Sequence, residues 1–294
     1  SFHTGSVVME ESRVSKWYFG GLASAGAAAV THPLDLLKVQ MQTQKGKSIS
    51  MFQLLKNILK QQGIMGLYNG ISASLMRQLT YSTGRFALYE VAKAELTPKN
   101  GVMAFHTSAL VACASGLFGG FVGSPADLIN VRMQNDIRLP PEQRRNYKNA
   151  FHGIYKVITE EGVLRLWQGS SMAVARAGAM TVGQLSFYDL LKSYVQPLLG
   201  DNMSTHIVCS LSAGGIATTF TQPLDVLKTR MMNSKKGEFA GVFDLVAKTA
   251  KEGPLAFFKG YIPAFTRLAP HTVLTFVFLE QLRIRYGLIR VRDY

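Results

Sequence analysis

Cysteine is scarce. Cys113 and Cys209 are the only two among 294 residues, and both fall in apolar segments. That excludes a disulfide framework and the small secreted scaffolds that depend on one. Charge is also scarce, at 17% against 47% hydrophobic residues, and mean hydropathy is +0.11. That balance points away from soluble globular chains and toward the membrane. Acids are the scarcer sign: 18 Asp and Glu face 32 Lys and Arg, for a net charge of +14. Anionic partners are therefore expected, among them lipid and small anionic solutes. Residues 1–12, SFHTGSVVMEES, lack the cationic start and apolar core of a secretory signal, and the arginine-rich character of a cleavable presequence. Any organelle address is expected to be internal. There is no G-x-x-x-x-G-K-[ST], G-x-S-x-G or H-E-x-x-H, and the six histidines are scattered, so neither an enzyme nor a cofactor or metal site is expected. The cations punctuate apolar spans instead of clustering on a polar face, which argues against nucleic-acid binding.

What the sequence does have is repetition. PLDLLK from Pro33 returns as PADLIN from Pro125 and PLDVLK from Pro223. QGIMGLYNG, EGVLRLWQG and EGPLAFFKG form a second threefold set, and YEVAK, YDLLK and LEQLR a third. Gly70 to Glu90, Gly169 to Asp189 and Gly260 to Glu280 are each 20 residues. Pro33 to Gly63 and Pro223 to Gly253 are 30 residues, but Pro125 to Gly162 is 37. Repeat two thus carries seven extra residues, placed in the loop-like NDIRLPPEQRRNYK. The repeats are taken as 13–100, 101–200 and 201–290.

Each repeat offers two spanning segments. Residues 17–34, 104–126 and 203–224 contain no Asp, Glu, Lys or Arg and have bilayer-crossing length. A second set, 71–96, 170–196 and 261–286, carries a few charges. Between them lie short amphipathic segments near 51–61, 149–159 and 240–250 that suit a membrane surface. The expected fold is an all-α membrane protein: six transmembrane helices in three pseudo-symmetric repeats, with short surface helices on one side. Gly116/Gly120 and Gly119/Gly123 form overlapping GxxxG pairs suited to close helix packing. Loops within repeats hold fifteen Lys and Arg against about nine on the opposite side, which places those loops in the negative compartment. An even number of spans puts both termini on the other side.

The threefold Pro-x-[Asp/Glu]-x-x-[Lys/Arg] motif, with its following glycine and aromatic-x-Gly, resembles the mitochondrial carrier family over essentially the whole chain. THPLDLLKVQMQTQ, VGQLSFYD and PHTVLTFVFLEQLR resemble its dicarboxylate-carrying branch. The resemblance implies an alternating-access antiporter of the mitochondrial inner membrane. It would exchange malate, succinate or malonate for phosphate, sulfate or another dicarboxylate. The alternative is oxoglutarate/malate exchange or an uncoupling-type proton leak. It further implies a monomer without cofactor or metal, termini toward the intermembrane space, and cardiolipin at Gly70, Gly169 and Gly260.

Acid and base three residues apart share one helix face, so three helices kinked at Pro33, Pro125 and Pro223 can build a charged ring. The resemblance makes this ring the matrix gate and pairs Lys38 with Asp127, Lys228 with Asp35, and Asn130, which replaces the usual base, with Asp225. Gln42 and Gln134 match the family's braces, whereas Met232 cannot brace. The other end is expected to close as a cytoplasmic gate through Glu90 with Lys192, Asp189 with Arg283 and Glu280 with Lys93. Tyr89 and Tyr188 can bond into that ring.

Arg77, Arg176 and Arg267 each lie 13 residues before the acid of this second ring, roughly 20 Å inward along a helix. Arginine binds carboxylate or phosphate through a planar fork and keeps its charge when partly buried. Three at one level point to a small polyvalent anion. By the resemblance Arg77, Arg176 with Ala177, and Arg267 are substrate contacts, and Arg85, without counterparts at Gln184 and Thr275, is a further candidate.

Overall fold

The computed structural model describes residues 11–14, 18–44, 49–96, 105–200, 202–235 and 237–291. Each repeat folds as a long helix, a short helix, a 3-10 turn and a second long helix, and the insertion of repeat two adds a further 3-10 turn at Pro141–Gln143. Repeat one contains α1 (Phe19–Gln42), α2 (Met51–Gln62), a turn at Ile64–Tyr68 and α3 (Ile71–Leu96). Repeat two contains α4 (Phe105–Asp136), α5 (Ala150–Glu160), a turn at Val163–Trp167 and α6 (Ser170–Leu199). Repeat three contains α7 (Met203–Asn233), α8 (Val242–Lys251), a turn at Pro254–Phe258 and α9 (Tyr261–Tyr286). The short helices begin and end within two residues of the amphipathic segments read from the sequence.

The most extensive helix contacts join α3 to α4, α6 to α7 and α9 to α1. Each crosses from one repeat to the next, so the six long helices close into a ring. Outside them, β1 (Glu11–Val14) pairs antiparallel with β2 (Leu288–Val291), Glu11 opposite Val291, which brings the two ends of the chain together. Leu110, Phe220 and Phe276 stay exposed on long helices, as apolar side chains facing lipid do. Among the described residues two stretches, Thr107–Asp136 and Pro254–Tyr286, are long and apolar enough to cross a membrane by length and composition alone. The other long helices dilute that signal with the charges and small polar residues they turn inward.

Small residues set the helix spacing. A Cβ on Gly119 would stand 2.9 Å from the Tyr81 carbonyl, and one on Gly123 3.3 Å from the Tyr81 Cβ, so these two glycines seat α3 against α4. Gly120 faces the other way, toward Ala173 and Ala177 of α6. Gly70, Gly169 and Gly260 have φ of 82°, 83° and 77° immediately before α3, α6 and α9, a conformation costly for any residue with a side chain.

Pro33, Pro125 and Pro223 lie inside α1, α4 and α7. Below the prolines these helices converge. Their apolar sides meet α2, α5 and α8 in small clusters such as Leu36, Leu37, Met41, Leu54 and Ile58. The seven-residue insertion of repeat two continues from the end of α4. There the Asp136 carboxylate accepts the backbone N–H groups of Arg145 at 2.7 Å and Asn146 at 2.9 Å, fixing the loop over the converged helix ends.

Candidate functional site

The helix-kink motifs meet where α1, α4 and α7 converge, but with the opposite sense from the one expected. Lys38 Nζ donates to Asp225 Oδ2 at 2.8 Å, and Lys228 Nζ donates to Asp127 Oδ2. Each base therefore reaches the acid of the preceding repeat. The expected pairs Lys38–Asp127, Lys228–Asp35 and Asn130–Asp225 are corrected to a ring in which Asn130 occupies the position facing Asp35. The reason is rotational: residues three apart differ by about 60° around a helix, so acid and base lean to different neighbours. Spacing alone does not say which neighbour lies on which side.

Asn130 is buried and its Oδ1 accepts from Gln134 Nε2 at 3.1 Å. Gln134 is thus held on its own helix and braces no ion pair. Gln42 does cross between repeats, its Oε1 accepting from Thr229 Oγ1 at 2.8 Å. Met232 is fully buried among apolar neighbours.

The three arginines stand over these acids, each on the acid of the following repeat. Arg267 donates to Asp35 Oδ1 at 2.8 Å and Arg176 pairs with Asp225 Oδ1. Arg77 is shared, with its guanidinium 3.7 Å from both Asp127 and Asp35. Asp35 lacks a lysine because of Asn130, and Arg77 leans across to supply the missing charge. Five cations surround three carboxylates, leaving two positive charges in surplus. These arginine side chains are not wholly sealed in: that of Arg176 is 33% exposed and those of Arg77 and Arg267 are 20% exposed. Arg85 lies apart from this cluster, exposed, with its backbone and Cβ against Gly119 of α4. Ala177 is buried against α4 near Gly120, beside Arg176.

At the opposite end Arg283 donates to Glu280 on its own helix at 2.8 Å, in the open. The side chains of Glu90, Lys93 and Asp189 lie outside the described residues, so the three expected pairs Glu90–Lys192, Asp189–Arg283 and Glu280–Lys93 do as well. Tyr89, Tyr188 and Lys192 are half-buried. The described ionic contacts between repeats thus gather at the kink end.

A second layer below the ring carries residues that the sequence reading missed. The residue two beyond each ring base donates to a carbonyl at the end of the next long helix: Gln40 to Gln134 at 2.9 Å, Arg132 to Met232 at 3.1 Å and Arg230 to Gln42 at 3.2 Å. Cations at helix C-termini neutralise the exposed carbonyls there. Both arginines are buried and each is gripped by the acid of its EG motif. Arg132 bonds Glu161 with both nitrogens, the second at 3.0 Å, and Arg230 bonds Glu252 at 2.8 and 2.9 Å. Burial alone would push both carboxyls up, but hydrogen bonds from Arg132 to Glu161, and from Arg230 and Lys259 to Glu252, hold them below the ordinary 4.5. The signal was present in the sequence: repeats two and three have Arg and Glu at these positions, while repeat one has Gln40 and Gln62 at both.

This threefold geometry accords with the likeness to known proteins. The family model described as "Mitochondrial carrier protein" matches residues 10–100, 102–198 and 200–288. The chain is 54% identical over 277 residues to a "Mitochondrial dicarboxylate carrier" of Caenorhabditis elegans, covering 94% of this chain and 95% of that protein. It is 41% identical over 273 residues to a "Mitochondrial dicarboxylate transporter" of Saccharomyces cerevisiae, with 91% of each covered. It is also 39% identical over 286 residues to the human "Mitochondrial 2-oxoglutarate/malate carrier protein", covering 92% and 90%. With three repeats matched in order and an inward-facing charged ring built from all three, the chain belongs to the mitochondrial carrier family, as a transporter of the mitochondrial inner membrane and not an enzyme.

Proposed function

We propose that this carrier exchanges small dicarboxylates such as malate, succinate and malonate for phosphate, sulfate or another dicarboxylate. The observation that carries the reading is the arginine level: three partly exposed arginine side chains above a ring with a surplus of two positive charges. A divalent anion neutralises that surplus, and its two acid groups match two of the three forks.

The same geometry supplies a coupling. In the state described here the guanidiniums are held by the ring's own aspartates. An entering dianion competes for them, and Arg77, held at 3.7 Å by two carboxylates, has the least to lose. As the substrate takes the arginines, Asp35, Asp127 and Asp225 keep only Lys38 and Lys228, and the ring is weakened from above. Substrate binding thereby favours opening at the kink end, through its differential affinity for the two states. Without substrate the ring stays closed, which makes exchange more favourable than one-way leakage. We assign the kink end to the matrix side and the chain termini to the intermembrane space. The chain acts as a monomer, with cardiolipin phosphates at the helix starts after Gly70, Gly169 and Gly260, where free backbone N–H groups and the helix dipole attract anions. The second ring, from Tyr89, Glu90 and Lys93, Tyr188, Asp189 and Lys192, and Glu280 with Arg283, closes in the alternate state.

The test is reconstitution into liposomes loaded with malate or phosphate. Labelled malate should enter only when a dicarboxylate or phosphate is present inside, with little proton flux. Proton flux that exceeds malate/phosphate exchange would instead establish the uncoupling-type alternative, and exchange restricted to oxoglutarate and malate the other one.

A further inference from the structure

Between the ends of α1, α4 and α7 and the end of α8 lies a cavity of about 920 Å³, on the loop side of the closed ring. Its lining is strongly cationic. Arg138, Arg145, Arg230, Lys235 and Lys248 contribute to it, against Glu238 and Glu252. Both acids are already engaged: Glu252 holds Arg230 and Lys259, and the Glu238 carboxylate accepts the backbone N–H of Lys235 at 2.9 Å. Lys248 pairs with Asp244 at 2.8 Å. Arg138 and Arg145 differ. Arg138 donates to the Gln40 carbonyl at 2.6 Å; Arg145 donates to the Asn233 carbonyl at 2.8 Å and its side-chain oxygen at 3.2 Å. Among the described residues neither forms an ion pair with a carboxylate, and nor does Lys235, whose ammonium bonds Gln143 Oε1 at 3.3 Å. Burial pushes the guanidinium of Arg138 below its ordinary value, and does the same at Arg145, where Arg132 adds to it. Both arginines come from the insertion that repeat two alone possesses.

We propose that this cavity is an anion site for a condensed phosphate chain, such as pyrophosphate, tripolyphosphate or the phosphate tail of a nucleotide. Arg138 is tied to the end of α1 and Arg145 to the end of α7, on different walls. Orthophosphate offers a single phosphorus centre to two forks held on different walls, whereas a chain of two or three phosphates offers a separate group to each fork and to Lys235 at the rim. The volume is that of a small-molecule site, with room beyond a single small ion. Gln143, Lys235 and Gly237 are exposed at its edge, leaving an entrance from the loop side. The site exists only while the three helix ends are together, so its occupant selects the closed state. A polyphosphate in the loop-side compartment is therefore an inhibitor that never enters the transport path. This does not depend on which dicarboxylate is carried.

The experiment titrates the intact detergent-purified carrier with pyrophosphate in a thermal-shift assay. Arg138→Gln with Arg145→Gln keeps an N–H for each carbonyl but removes both charges, and should weaken pyrophosphate binding roughly tenfold or more. Arg176→Ala, at the upper cluster, should leave the pyrophosphate shift intact; Arg176→Lys serves if the alanine variant does not fold. No shift in the wild type overturns the proposal. So does a shift that survives the double variant, or one abolished by the change at Arg176, which would place the anion on the ring arginines. In proteoliposomes, loop-side pyrophosphate should slow exchange by the wild type but not by the double variant. Comparison of tripolyphosphate with adenosine triphosphate separates the sources: equal potency means the chain alone is recognised, and stronger binding of the nucleotide means the base contributes.

Discussion

Asn130→Lys tests the sense in which the ring is wired. Each base meets the acid of the preceding repeat, so a lysine at 130 meets Asp35 and leaves Asp225 to Lys38. Two unit charges about 4 Å apart attract by about 4 kcal/mol at an effective dielectric near 20. Arg267, already on Asp35 at 2.8 Å, returns repulsion of about 2 kcal/mol from roughly 8 Å. Dehydrating the ammonium and losing the Gln134–Asn130 hydrogen bond, 3.1 Å long, consume much of the rest. Arg77 gains some of it back, because with Asp35 supplied it can settle on Asp127 as Arg176 settles on Asp225. The net expectation is about 1 kcal/mol in favour of the closed ring, or roughly 2 °C in melting temperature for a chain of this size. A thermal-shift measurement in detergent reads it, and a double-mutant cycle assigns it. Coupling to Asp35→Asn should carry the gain, and coupling to Asp225→Asn should be near zero. If the gain couples to Asp225 instead, or to neither acid, the wiring described here is wrong. Exchange should slow by up to about fivefold where ring opening limits turnover.

Three further outcomes are expected. Arg176→Ala should abolish malate and phosphate uptake in proteoliposomes, and Arg176→Lys should restore little of it because the planar fork is lost; near-normal uptake by the alanine variant would remove Arg176 from the substrate site. Glu161 and Glu252 titrate below 4.5 in the folded protein, so their stabilisation is complete above that value and disappears as pH falls through the lowered values. The melting temperature should drop on acidification below about pH 4.5, less steeply in Glu252→Gln, and a drop that Glu252→Gln leaves unchanged would assign the acid sensitivity elsewhere. Gly169→Ala and Gly260→Ala impose similar left-handed backbone strain, at φ of 83° and 77° with ψ of 3° and 12°, but a Cβ on Gly169 comes nearest the flexible Met232 side chain, at 3.1 Å, while one on Gly260 stands 2.9 Å from the Lys38 carbonyl. The first should cost about 1 kcal/mol and the second at least twice that, and equal losses would refute the close approach.

The repeat, the six long helices, the three surface helices and the insertion were all legible in the sequence, because each is a matter of order and spacing along one chain. The wiring of the ring was not. Whether Lys38 reaches Asp127 or Asp225 depends on which repeat lies to its left, and one-dimensional spacing carries no handedness. The arginine level was legible as an equivalence, since Arg77, Arg176 and Arg267 share one offset, but not as a contact with Asp127, Asp225 and Asp35. Those residues lie on different helices whose approach below the prolines is set by the kinks. Arg132 with Glu161 and Arg230 with Glu252 could have been found by aligning the repeats with one another: Arg and Glu change together to Gln40 and Gln62 in repeat one, as partners do.

That substitution and Asn130 fall on the same seam. Between α1 and α7 the closed end is joined by Lys38 to Asp225, by Arg230 to the carbonyls of Gln42 and Gln44, and by Lys259 to Gln44. Between α4 and α7 it is joined by Lys228 to Asp127, Arg132 to Met232, Arg145 to Asn233 and Arg165 to Ser234. Between α1 and α4 there is no lysine pair among the described residues. Gln40 bonds Gln134, Thr43 bonds Asn135 at 2.7 Å, Arg138 of the insertion sits on the Gln40 carbonyl, and Arg77 spans Asp35 and Asp127 only at 3.7 Å. Neutral hydrogen bonds contribute about half as much as charge-assisted ones, so α1 and α4 are the pair that parts at least cost. The ring is therefore expected to break first at this one seam, with the other two still latched, and repeat two's insertion reaches across it through Arg138. Asn130→Lys reinforces the weak seam itself, and for that reason it should slow exchange more than an equal stabilisation placed at either of the other two.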